Sequence, residues 1–166
     1  MSEEDPIDGD GPGGDPQLEP QPVSVGRVTM RLLAEPQSSN IFGSVHGGWI
    51  LRQVDQAAYV CAARHAGHQA VTASIDRVDF RSPIHIGDLV TLRAEVHYVG
   101  HTSMVIGVCV EAEDLLSTEI RHTNTCVLTF VAIDHDFHPT GVPGLLRETD
   151  DEERLWREAR ERRNRT

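Results

Sequence analysis

The arrangement best suited to chemistry is an aspartate set among apolar residues at helical spacing, a little after a pair of glycines. From Ser38 the sequence passes through Asn40, Gly43 and His46-Gly47-Gly48. It then enters a segment in which Ile50, Val54, Ala57, Ala58, Cys61 and Ala62 recur every three or four positions up to Ala66. That is the period of a helix with one buried face. Asp55 falls at the edge of this face, between Leu51, Ala62 and Tyr59. A carboxylate there loses hydration, so it must either be hydrogen-bonded or shift its pKa upward, which makes it a candidate base. Gly47 and Gly48 stand at the helix start, where a ligand carbonyl can reach the first free backbone N–H groups and the helix dipole favours developing negative charge. The same residues also fit a structural account, with the glycines serving a turn and Asp55 a boundary position. Spacing alone leaves both open.

The elements that must position these residues follow from periodicity. Val28, Met30 and Leu32 alternate with Thr29 and Arg31, as in a half-buried strand within Val23 to Leu33. After the helix come four runs of period-two character, Ala70 to Phe80, Asp88 to Val99, Thr102 to Glu113 and Thr118 to Asp134, each rich in β-branched residues. In the second run Val90, Leu92, Ala94, Val96 and Tyr98 face one way, and Thr91, Arg93, Glu95 and His97 the other. One long apolar helix beside five strands joined mostly by short turns predicts an α+β fold, with a curved antiparallel five-stranded sheet wrapped around the helix.

Composition bounds the rest. The chain has 166 residues, enough for one domain with tails. Residues 1–22 are rich in Pro, Gly, Asp and Glu and poor in large apolar side chains, so they are expected to form a disordered acidic tail whose removal leaves stability and activity nearly unchanged. The folded domain is expected over 23–136. Residues 137–166 should be an irregular segment followed by a short, charged C-terminal helix opened by a capping box at Thr149 and Glu152. That helix reads as a solvated appendage. The net charge of -11 argues against nucleic acid as a partner. Cys61, Cys109 and Cys126 lack C-x-x-C spacing, and the nine histidines show no metal-ligand grouping beyond His135 and His138 in an irregular stretch; no metal is expected. No run approaches the roughly 20 apolar residues of a membrane span, and the acidic N-terminus is unlike a leader. A cytoplasmic protein with free thiols is expected.

Taken in order, Asn40, His46-Gly47-Gly48-Trp49-Ile50, Asp55, Val71-Thr72, Asp79-Phe80, Ser82-Pro83-Ile84, Gly87-Asp88, Val99-Gly100, Thr102-Ser103-Met104 and Phe130 to Asp134 resemble the hot-dog acyl-coenzyme A thioesterases, in particular the bacterial and brain-type cytosolic acyl-CoA hydrolases. The resemblance covers about Val28 to Asp134. It implies a homodimer as the minimal active unit, assembled further as a trimer of dimers, that hydrolyses acyl-CoA without a cofactor other than the coenzyme A of the substrate. By the same resemblance Asp55 matches the catalytic carboxylate, Asn40 an asparagine completing the site from the partner subunit, and Gly47 and Gly48 the oxyanion-binding helix start. The turn Val99, Gly100, His101, Thr102, Ser103 resembles the segment near the coenzyme A nucleotide. Arg77 and Arg81 are candidate phosphate partners, and His46 a substrate-side residue better suited to loop packing than to proton transfer.

Two other functions suit the fold. A hydratase or dehydratase requires a catalytic His paired with an acid on a different loop, and no such pairing is visible. A non-catalytic acyl-CoA-binding regulator requires a DNA-binding segment, and neither terminus carries a helix-turn-helix pattern.

Overall fold

The computed structural model describes residues 11–165. Two-residue strand β1 (Gln21–Pro22) and one-turn helix α1 (Val23–Gly26) lead into β2 (Val28–Leu33). A 3-10 turn at Pro36–Ser38 then precedes α2 (Gly47–Ala66). Four long strands follow: β3 (Gln69–Phe80), β4 (Leu89–Val99), β5 (Ser103–Glu113) and β6 (Ile120–Ile133). The described chain closes with β7 (Leu145–Leu146) and α3 (Asp150–Arg163).

The five long strands form one antiparallel sheet in the order β2-β4-β5-β6-β3. All five touch α2, whose apolar stripe of Ile50, Val54, Ala57, Ala58, Cys61 and Ala62 is buried against them. The expected α+β wrap is therefore present. Its cause is the width of that stripe, which a flat sheet cannot cover. His46 caps the start of α2, its Nδ1 accepting from Trp49 N–H at 3.0 Å, and Gly67, with a φ of 68°, ends it in the left-handed conformation. No helix among the described residues is long and apolar enough to cross a membrane.

Three findings differ from the sequence expectation. Tyr98 continues the inward alternation of Val90 to Val96 by pattern, but the register shifts between Val96 and Tyr98. A bulge of this kind reverses the faces beyond it, and Tyr98 meets Trp156 of α3 with ring centroids 4.6 Å apart. The C-terminal helix is not a solvated appendage, because Trp156 and Ala159 are buried, at 3% and 4% exposure. With Val142 and Leu145, Trp156 belongs to the main core, so the segment 137–165 packs with the domain.

The third concerns the acidic tail expected over 1–22. Residues 1–10 lie outside the described residues. Residues 11–22 are held against the C-terminal segment: Asp15 N–H donates to Val142 O, Leu145 N–H to Pro12 O and Gln21 N–H to Gly144 O, at 2.7 to 2.9 Å. Gly14, with a φ of 76°, lies so near Gly144 that a Cβ would stand 2.4 Å from its nitrogen. Composition misses this strap because it is held by backbone pairing and close glycine contact rather than by large apolar side chains.

Candidate active site

Asp55 lies one position along α2 from fully buried Val54, at the border between the helix stripe and solvent. Thr72 of β3 donates its Oγ1–H to Asp55 Oδ1 at 2.6 Å, a short, charge-assisted hydrogen bond. That bond fixes the carboxylate rotamer and leaves Oδ2 without a hydrogen bond among the described residues. The pair opens on a cavity of about 520 Å³ walled by Met30, Tyr59, Val60, Val71 and Phe130. A single anchored carboxylate in an apolar cleft suits proton abstraction or nucleophilic attack on a substrate with an apolar tail.

The loop before α2 is built by Asn40. Its Oδ1 accepts from the N–H groups of Phe42 (2.8 Å) and Ser44 (3.1 Å), an Asx-type turn in which Gly43 takes a φ of 84°. With the oxygen occupied, the Nδ2 amide is the end left to donate elsewhere. Gly47 and Gly48 are exposed and neither has a positive φ. A Cβ would meet only the Phe80 ring at 3.6 Å from Gly47 and the His46 ring at 3.4 Å from Gly48. The turn and its packing therefore do not require glycine at these two positions. Their N–H groups have no acceptor among the described residues. Neither they nor Asn40 line the Asp55 cavity of the same chain, which fits the roughly 10 Å of helix between the glycines and Asp55.

The remaining sequence-predicted residues lie apart from this pair. His46 is occupied as the helix cap. Arg77 pairs with Asp79 at 2.8 Å on the exposed part of β3, and Arg81 donates its backbone N–H to Thr123 O. Gly100, His101, Thr102 and Ser103 form the β4–β5 turn, with Gly100 N–H donating to Ser103 O at 2.9 Å. His101 Nε2 stands 3.6 Å from Asp15. Asp134, Asp136 and His138 bring ligand-type atoms within 4.8 Å of one another after β6, but Asp134 Oδ1 accepts from the N–H groups of Asp136 and His138 and so builds that turn. Burial pushes the Cys61 thiol up to about 12, which keeps it protonated and unreactive. Spacing does not single out Thr72, although Val71-Thr72 belongs to the resembling pattern. An isolated Thr in a strand carries no signal until the fold sets it beside a carboxylate.

A family model described as Thioesterase superfamily matches residues 42–118. The uncharacterized acyl-CoA thioester hydrolase YkhA of Bacillus subtilis is 39% identical over 129 residues, 78% of this chain and 75% of the relative. An acyl-CoA hydrolase from Staphylococcus aureus, solved with butyryl coenzyme A, coenzyme A and coenzyme A disulfide, superimposes with a TM-score of 0.81 at 34% identity, covering 87% of this chain and 88% of that one. A hexameric acyl-CoA thioesterase superimposes with a TM-score of 0.82 at 35% identity, covering 89% and 98%. Structures of the S. aureus enzyme include alanine variants of an asparagine, an aspartate and a threonine spaced by fifteen and then seventeen residues. Asn40, Asp55 and Thr72 have the same spacing. By fold, by sequence and by this spacing, the chain belongs to the hot-dog thioesterase superfamily, in the group of the acyl-CoA thioester hydrolases.

Proposed function

We propose that the protein is an acyl-CoA thioesterase that hydrolyses the thioester of acyl-coenzyme A to a free acid and coenzyme A. The observation that carries this reading is the Asp55 carboxylate, tethered by Thr72 at one oxygen and facing an apolar cavity with the other side open. Asp55 takes a proton from water as it adds to the thioester carbon, or attacks that carbon itself to form a mixed anhydride that water then hydrolyses to the free acid, regenerating the carboxylate. In either case the C–S bond breaks and the coenzyme A thiolate is protonated. The N–H groups of Gly47 and Gly48 receive the oxyanion, and the Asn40 amide orients water or the carbonyl. No protein cofactor takes part; coenzyme A enters as part of the substrate.

The separation within one chain of Asp55 from the Asn40 loop and the glycines supports a site shared by two copies related by a two-fold axis. So does the apolar surface beside it: Ile41 is 93% and Phe42 84% exposed, and β3 is an edge strand twelve residues long with one side unpaired, a form that natural sheets normally cover. The assembly we propose is a homodimer as active unit, arranged as a trimer of dimers, in the cytoplasm and without nucleic acid or membrane partners. The pairs His85–Asp88, His97–Glu95, His101–Asp15 and His138–Asp134 do not line the Asp55 cavity, so among the described residues no histidine–acid pair of the kind a hydratase needs stands beside Asp55.

The test is a chromogenic thiol assay on a panel of acyl-CoAs, run beside a hydration assay on enoyl-CoA. The wild type should release thiol and not hydrate the enoyl substrate. Asp55→Asn should stay folded and lose at least about a hundredfold in turnover, the low end of a general-base contribution. Near-normal turnover in a clean preparation of Asp55→Asn would remove Asp55 from the mechanism.

A further inference from the structure

Beside the Asp55 cavity lies a second one, of about 600 Å³, and among the described residues Tyr59 lines both. The order of residues along the helix and the sheet places the two cavities end to end. On the helix side Asp55 and Tyr59 line the first, and Tyr59, Ala63 and Gly67 the second. These positions are four residues apart and so stand in one row along α2. On the sheet side Thr72, Val71 and Ala70 of β3 line the first cavity and Gln69 the second. The pairing of Thr72 with Phe130 and of Gln69 with Ile133 carries the same order onto β6. Helix and strands together form one trough that runs from the carboxylate to the C-terminal end of α2.

Side-chain size changes abruptly along it. Beyond Tyr59 the helix row offers only the methyl group of Ala63 and then Gly67, where a Cβ would meet nothing within 4 Å. Tyr59 therefore carries the one large side chain in the row, and it divides the trough in two. Core packing does not account for it: its neighbour Val60 packs against the main core, whereas Tyr59 is 40% exposed and stands outside that cluster. At 1.5 Å per residue, Tyr59 lies about 6 Å past Asp55 and Gly67 about 18 Å past it. An extended alkyl chain advances about 1.3 Å per C–C bond of about 1.5 Å. The two distances correspond to about five and about fourteen bonds.

We infer that the Tyr59 ring is the stop that sets the length of acyl chain this site accepts. Chains of up to about six carbons, counted from the thioester carbon, are held between Asp55 and Tyr59. Carbons beyond that number find the trough closed and gain nothing from the cavity at Ala63 and Gly67. The inference rests on the acyl-CoA reading for the identity of the substrate and assigns its class, a short-chain acyl thioester.

Calorimetric titration of the full protein with S-alkyl-coenzyme A thioethers from ethyl to dodecyl tests it, since these carry the alkyl chain but no thioester. Thiol release from the matching acyl-CoAs is measured beside it. In the wild type, affinity should rise with each carbon to about hexyl and then level off. Tyr59→Ala should bind dodecyl at least about tenfold more tightly than hexyl, the gain from burying about two further methylene groups. Tyr59→Leu, which keeps apolar cover on the helix, should move the limit in the same direction. Tyr59→Phe should retain the wild-type limit, because the ring and not the hydroxyl is the stop. Adding Ala63→Phe to Tyr59→Ala closes the far cavity and should bring the limit back, a reversal that lost packing at Tyr59 would not produce. Affinity that climbs through dodecyl in the wild type, an unmoved limit in both Tyr59→Ala and Tyr59→Leu, or failure to bind any thioether would overturn the inference. A wild type that shows the limit in binding yet releases thiol from no acyl-CoA would overturn the catalytic reading alone.

Discussion

At the scale of single residues, the account turns on how a carboxylate is kept both fixed and available. Thr72 gives its one side-chain donor to Asp55 Oδ1 and lines the same cavity. Thr72→Val preserves shape and removes only the hydrogen bond. It should leave the melting temperature within a few degrees and lower kcat by about tenfold, the scale of one hydrogen bond to a charged group of about 1.5 kcal/mol. Stopped-flow thiol release at saturating acyl-CoA measures it, and unchanged kcat would reduce Thr72 to a packing residue. Asp55 and the glycine pair stand out in the sequence as candidates because a charged residue at the edge of an apolar stripe and paired glycines at a helix start each depart from a local preference. Thr72 violates nothing, so only the register of β3 against α2 brings it into view.

At the scale of elements, the central helix and four of the long strands were readable from periodicity to within a residue or two, because their alternation reports burial on one face of a sheet. The fifth strand begins at Val28 instead of Val23, as Val23–Gly26 makes a helical turn. Bulges escape such reading, since a one-residue shift leaves composition unchanged while exchanging faces. The inward assignment of Tyr98 failed for that reason, and with it the true place of α3.

The contact between α3 and β4 carries a pH signature. Burial lowers His97 to about 4, with Arg162 and Arg154 of α3 also acting to lower it and Glu158 and Asp151 opposing; Glu95 stands 3.9 Å away. The folded state therefore binds a proton on His97 less readily than the unfolded state, whose value is near 6.5. Stability from this group is fully present above about pH 6.5 and is lost as the pH falls to about 4, by up to about 3 kcal/mol. His65, lowered by burial although Pro143 O lies 2.8 Å from its Nε2, acts in the same direction. Denaturant melts between pH 7 and 4 should show this loss, and His97→Asn should flatten it. The same slope in the variant would assign the acid sensitivity to other groups.

At the scale of the whole molecule, the termini matter more than composition suggests. The strap of residues 11–22 pairs β1 with β7 in parallel and lies over Val142 and Leu145, both buried. Deleting residues 1–21, neutral by a composition argument, should lower the melting temperature by about 5 °C or more, since several backbone hydrogen bonds of about 1 kcal/mol each are lost along with apolar cover. Differential scanning calorimetry of the truncated chain checks this, and an unchanged melting temperature would show that the strap adds nothing to the folded domain. Assembly is the other property of the whole molecule. Neither the exposed Ile41 and Phe42 nor the outer edge of β3 is covered by the described residues, and the shared site proposed above is completed by a second copy.

Complementation between two inactive variants tests that shared site directly. Asn40→Ala and Asp55→Asn, each nearly inactive alone, are unfolded together and refolded as an equimolar mixture. Random pairing makes half the dimers mixed, each with one intact and one doubly altered site, so about a quarter of the activity of equally refolded wild type should return. If refolded wild type is active and the mixture stays at the level of the separate variants, Asn40 and Asp55 act within one chain and the shared site is contradicted.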